Sequence, residues 1–87
     1  MSLAIRANLS TQQIDGELVI LDKANSQIHQ LNSVASFIWQ QIEMGLDAQA
    51  IVKKLTQLYE IDAAVAYTDL DKVLQQFKDL KLLSNED

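Results

Sequence analysis

Apolar positions change their spacing near Asn32: before it they come in short runs, and after it they recur every three or four residues. The first regime reads as strands and the second as amphipathic helices. Leu3 to Ala7 alternate weakly and predict a short first strand. Asp15–Gly16 is a turn signal. The run Glu17–Leu18–Val19–Ile20–Leu21–Asp22 suits a strand and is too short for a helix. Apolar residues on both of its faces predict cover on both sides. Asp22–Lys23–Ala24–Asn25 reads as a connecting turn, with Asn25 in the left-handed conformation. Ser26 to Leu31 predict a third strand in which Gln27, His29 and Gln30 surround Ile28, a polarity that marks an edge beside solvent.

Three helices follow. Asn32 or Ser33 is a natural N-cap, and Val34, Ala35, Ile38, Trp39 and Ile42 then recur at helical spacing. Gly45 closes this helix as the residue after its C-cap. Asp47 caps a second helix with Ile51, Val52, Leu55, Leu58 and Tyr59 on one side. Asp62 caps a third, whose stripe of Ala66, Leu70, Val73, Phe77 and Leu80 is broadened by Leu74. Ser84–Asn85–Glu86–Asp87 is a polar tail predicted to fray, leaving residues 1–83 as one domain. The order β-β-β-α-α-α predicts an α+β fold, a three-stranded antiparallel sheet followed by three helices. The short link between the last two helices makes it winged helix-turn-helix-like.

Composition narrows the function. At 87 residues the chain sits near the lower limit for an unaided core, and without cysteine it has no disulfide to supplement that core. Hydrophobic content of 48% is that of a globular chain. No apolar run reaches the roughly 20 residues of a membrane span, and Met1 to Ser10 lack the features of a signal peptide. A cytoplasmic location with no membrane partner is the expectation. Net charge is −5 and the seven Lys and Arg are scattered, with Lys53–Lys54 the one adjacent pair, so nucleic acid is not expected as a ligand.

The inventory for chemistry is thin. His29 is the single histidine, too few for a zinc site that draws three or four ligands from His, Cys and carboxylates. Its plain reading is a solvent-facing strand residue. Asp47 and Asp62 serve as caps, and Asp69 with Lys72 can pair across a helix face. Calcium loops and glycine-rich phosphate loops are missing, and Asn8–Leu9–Ser10 matches a glycosylation acceptor by chance. Trp39 joins the buried helical face, while Phe37 and Tyr67 lie beside the main stripes and are candidates for exposure. No catalytic residue, metal or cofactor is predicted, and a binding module is favoured over an enzyme.

Order and spacing over some seventy residues resemble the PqqD-like family, also known as the RiPP recognition element. Asp15–Gly16 through Leu21 resembles its apolar second strand. Leu31–Asn32 with Ala35, Ile38 and Trp39 resembles the start of its first helix. Gly45, Ala50–Ile51–Val52, Leu55 and Tyr59 resemble the second helix, and Asp62, Asp69–Leu70, Val73–Leu74 and Phe77 the third. Leu82–Leu83 stands where the family closes on two leucines, but Lys81 replaces the usual glycine and predicts a different terminal turn. The stretch around the first helix is closer to the wider family than to quinone-pathway members, so quinone synthesis is not implied.

The resemblance implies a peptide chaperone. Such proteins bind the leader of a ribosomally made precursor and present it to a modifying enzyme, often a radical SAM protein. The leader adds as a strand to the third strand, beside the third helix. This implies a peptide-facing set of Gln27, Ile28, His29 and Gln30 on the strand, with Asp69, Lys72, Val73 and Gln76 on the helix. Tyr67, Asp71, Leu74 and Lys78 form the rival flank. Independently of the resemblance, an edge strand offers the unpaired N–H and C=O groups that strand addition uses. Two other readings share the fold: a protein-interaction or dimerisation domain, including a homodimer through the same edge, and a winged-helix DNA-binding regulator. The third helix, with Asp69, Asp71 and Asp79 against Lys72, Lys78 and Lys81, lacks the basic character the last reading needs.

Overall fold

Asp15 and Gly16 both take positive φ, 53° and 82°. That is the two-residue turn whose twist matches a β-hairpin, and Asp-Gly is among its strongest signals. In the computed structural model, which describes residues 3–84, this turn joins β1 (Leu9–Ile14) to β2 (Glu17–Asp22). A second connection leads to β3 (Gln27–Gln30), and α1 (Ser33–Glu43), α2 (Ala48–Tyr59) and α3 (Ala63–Asp79) follow. The sheet is antiparallel in the order β1-β2-β3. Three strands followed by three helices give the expected α+β, winged-helix-like arrangement.

The first strand lies later than Leu3–Ala7. Its residues, Leu-Ser-Thr-Gln-Gln-Ile, are too polar to announce a strand, and the tight hairpin dictates their pairing with β2. Leu3–Ala7 belongs instead to a terminal clasp. Ile5 bridges Leu83, the Arg6 N–H donates to the Leu82 carbonyl at 3.0 Å, and the Ser84 N–H donates to the Ala4 carbonyl at 2.8 Å. Ser84 is therefore bonded rather than frayed, and Asn85–Asp87 lie outside the described residues.

Helices cover one face of the sheet. Leu18, Ile20 and Asp22 are buried on that side, whereas Val19 and Leu21, pointing the other way, are half-buried; the two-sided cover read from the apolar run is not found. In the β2–β3 turn the left-handed residue is Ser26 (φ 54°), not Asn25. Asn25 instead donates its backbone N–H and its Nδ2 to the Asp22 carboxylate, at 3.2 and 2.9 Å.

Caps set the helix ends. Asn32 accepts from the Ala35 N–H at 2.8 Å and Asp47 from the Ala50 N–H at 2.9 Å. Asp62 holds the N-cap position of α3, but its side chain makes no cap bond. After α1, Gly45 (φ 86°) donates to Ile42, and Leu46 donates to Gln41. This pair of bonds is the Schellman closure. Lys81 (φ 60°) repeats it after α3: its N–H donates to Lys78 and that of Leu82 to Phe77. The terminal turn thus takes the left-handed form a glycine would give.

The core is one cluster in which Ile20, Ile38, Trp39, Ile51 and Phe77 are fully enclosed. Trp39 meets Phe77 edge-on, ring centroids 5.2 Å apart, in the geometry aromatic pairs favour. Ser36 fixes α1 to the sheet: its Oγ accepts from the Leu18 N–H at 2.8 Å and donates to the Leu31 carbonyl at 3.3 Å. The apolar stripe of α2 ends early, because Leu58 is 56% exposed. Tyr59 is partly exposed and sits edge-on to a half-buried Phe37, while Tyr67 is exposed as its off-stripe position suggested.

Candidate functional site

β3 is an outer strand, so one side of it has no neighbour in the sheet. Which of its groups are free follows from the register. The Leu31 N–H donates to the Leu18 carbonyl at 2.8 Å, just beyond the Val19–Gln30 pair. Antiparallel partners alternate between bonded and non-bonded pairs. His29 and Gln27 therefore bond to Ile20 and Asp22, and the N–H and C=O groups of Ile28 and Gln30 point outward from the sheet edge.

Side chains alternate the other way, across the two faces. Ile28, opposite Leu21, and Gln30, opposite Val19, lie on the face away from the helices. Gln27 and His29, opposite Asp22 and Ile20, lie on the helical face. His29 is accordingly half-buried, with an Nε2 that is shielded and unpartnered; it is not the solvent-facing residue expected. Between β3 and the C-terminal end of α3 lies a groove of about 430 Å³ lined by Asn25, Gln27, His29, Asp79, Leu80 and Lys81.

Of the eight residues expected to face a ligand, the groove gathers Gln27 and His29. Ile28 and Gln30 present backbone groups at the same edge and side chains on the opposite face. Higher on α3, Val73 and Asp69 are half-buried and Lys72 and Gln76 exposed, none of them lining this groove. Asp69 and Lys72 do not pair; among the described residues the one ion pair is Arg6–Asp22. On the rival flank, Lys78 lines a separate concavity with Arg6, Lys81, Leu83 and Ser84.

Sequence reasoning missed the helix end itself, Asp79 to Lys81, and the network that fixes it. The Arg6 Nη2 donates to the buried Asp22 carboxylate at 2.6 Å and its Nε to the Lys81 carbonyl at 2.8 Å. Asp22 also holds Asn25, so one carboxylate ties the end of β2, the β2–β3 turn and the N-terminal strap, and through Arg6 the end of α3. The Asn25 amide, and then the Arg6 guanidinium, hold the Asp22 carboxyl below its ordinary range despite the opposing effect of burial. An aspartate ending an apolar strand run was the available signal, since burial demands a partner. Among the described residues no cluster of three or more His, Asp or Glu side chains is placed to hold a metal, and no helix is long and apolar enough to cross a membrane.

Comparison with known proteins gives a consistent picture. The family described as "Coenzyme PQQ synthesis protein D (PqqD)" matches residues 17–83. Among solved structures, "TbiB1 in Complex with the TbiA(beta) Leader Peptide" is 26% identical, with a TM-score of 0.90 over 97% of this chain and 98% of that one. "Lasso peptide synthetase B1 complexed with the leader peptide" is likewise 26% identical, with a TM-score of 0.87 over 94% of this chain and 96% of that one. No curated protein matches.

Proposed function

Since the chain belongs to the PqqD family, we propose that it is a leader-binding module: it takes the leader of a ribosomally made precursor peptide as a fourth strand on β3 and presents the peptide to a separate modifying enzyme. The observation that carries this reading is the free ladder edge of Ile28 and Gln30 lying directly beside the groove under Leu80. Strand addition supplies affinity through those backbone groups, and the groove supplies selectivity through side chains. Both of these solved structures are complexes with a leader peptide, which supports the same ligand here.

Leu80, two turns beyond Val73 on the same side of α3, favours the flank of Asp69, Val73 and Gln76 over that of Tyr67 and Lys78. We place Gln27 and His29 in the groove wall, with Asp69, Lys72, Val73 and Gln76 as its upper continuation along α3. One histidine and no cysteine leave the chemistry to the partner, for which a radical SAM enzyme is the kind implied by the family resemblance. The complex would assemble in the cytoplasm, where precursors are made. The same edge would serve self-pairing in a homodimer.

An amide chemical-shift titration with the leader of a short precursor encoded nearby tests this. Shifts at Gln27–Leu31 and along Asp69, Val73, Gln76 and Leu80 are expected. Shifts on Tyr67, Asp71 and Lys78 instead would move the peptide to the other flank. An unchanged spectrum at high peptide excess would remove the leader-binding reading for that peptide.

A further inference from the structure

Ile28 stands 70% exposed on the face of the sheet away from the helices, the one apolar residue of a strand otherwise built of Gln27, His29 and Gln30. Its direct cross-strand partner is the half-buried Leu21. The two form a non-bonded pair, the spacing at which facing side chains come closest. With Lys23 and Ser26 of the turn, and with the strand ends Asp22 and Gln27, they line a shallow concavity of about 280 Å³. The concavity continues directly into the free ladder edge, because Ile28 contributes to both.

We propose that this concavity is a second side-chain subsite for the added strand, on the opposite face from the groove, and that it takes a large apolar side chain such as Leu, Ile, Val or Phe. The proposal rests on the leader-binding reading and adds to it a requirement on leader sequence. Ile28 offers its own N–H and C=O to an incoming antiparallel strand. The residue that exchanges those bonds lies directly opposite, and opposed residues share a face. Its side chain therefore extends the row Leu21–Ile28 by one, while its two neighbours in the leader point into the groove. An apolar residue there covers Ile28, which water otherwise surrounds; a charged one gains nothing from it. A second copy of the chain is the rival occupant, since Ile14 and Val19 continue the same face.

The test uses a fluorescently labelled leader, the full chain and an Ile28→Thr variant that keeps β-branching at an exposed site. Cross-strand nuclear Overhauser effects identify the leader residue facing Ile28, which is then changed to Thr. Each substitution alone is expected to weaken binding by up to about five-fold, the upper end for one cross-strand apolar pair, and the two together little more than either. Circular dichroism of Ile28→Thr should match that of the parent. If β3 amides shift on binding but neither substitution changes Kd, the subsite is overturned and the leader-binding reading stands. If the parent chain itself gives no binding and no β3 shifts, both fall. Concentration-dependent sedimentation abolished by Ile28→Thr, with Kd unchanged, would assign the face to a second copy and overturn the subsite.

Discussion

Two helices approach the sheet, and they meet it differently. α1 is sealed onto β2: Ser36 satisfies both the Leu18 N–H and the Leu31 carbonyl, and the surrounding residues are buried. α3 stands off from β3, with a groove of about 430 Å³ between them. What holds α3 in place is elsewhere: it packs on α2 and α1, Trp39 meets Phe77, and Arg6 grips the Lys81 carbonyl. A wall positioned from behind can face an open edge without collapsing onto it. Rigidity at one junction is thus what allows vacancy at the other, and a vacant, pre-formed edge is what strand addition requires.

The largest effect should come from removing the rear anchor. Phe77→Ala deletes a fully buried ring packed edge-on to Trp39. Urea unfolding should show a loss of about 3–5 kcal/mol. A loss below about 2 kcal/mol would mean that α3 is held mainly by its ends.

Next comes the terminal clasp, read through pH. Asp22 has a folded pKa lowered from the ordinary 3.8. The unfolded chain then binds that proton more readily, so the stability Asp22 contributes is complete above 3.8 and is lost as pH falls through and below that value. Thermal melts of the parent chain should show this acid limb. In Asp22→Asn the limb should flatten, with lower stability at neutral pH because Arg6 and Asn25 lose their charged acceptor. An acid limb of equal depth in both proteins would place its origin in other carboxylates.

Ser36→Ala tests the sealed junction. It strands a buried Leu18 N–H, and such a group costs about 1–3 kcal/mol when unsatisfied. The comparison predicts a stability loss with little change in peptide affinity beyond it, because Ser36 lies on the closed side. A variant as stable as the parent would mean that another donor or acceptor takes over.

The two junctions also differ in how far the sequence discloses them. A compact apolar run locates β2, and periodicity locates all three helices, because burial of one helix face writes itself into every third or fourth residue. β1 escaped, since Ser10, Thr11, Gln12 and Gln13 pair through a hairpin and pack against little. Ser36 escaped because a hydroxyl within an apolar arc carries no period, although it is what closes α1 onto the sheet. The edge character of β3 was readable in its polarity. The groove's far wall was not, because Leu80 and Lys81 lie where the helix stops, and only long-range contacts such as Arg6 to Lys81 decide what a helix end faces.

That helix end supplies the smallest and most discriminating prediction. α1 and α3 close with the same pair of hydrogen bonds, yet α1 uses Gly45 and α3 uses Lys81 in the left-handed conformation. A Cβ at Gly45 would meet nothing within 4 Å, so Gly45→Ala costs only backbone strain, about 1 kcal/mol. Lys81→Gly should do the reverse and stabilise by up to about 1 kcal/mol, the strain of a non-glycine residue being relieved. The signs are opposite at matched geometry because one site already has the residue its backbone favours. The other retains a cation that lines the groove. If Lys81→Gly stabilises the chain while weakening leader binding in the same preparation, the lysine is kept for its side chain at the groove. If it stabilises with Kd unchanged, Lys81 contributes only its carbonyl to the Arg6 clasp, and the groove is read by Gln27, His29 and Leu80 without it.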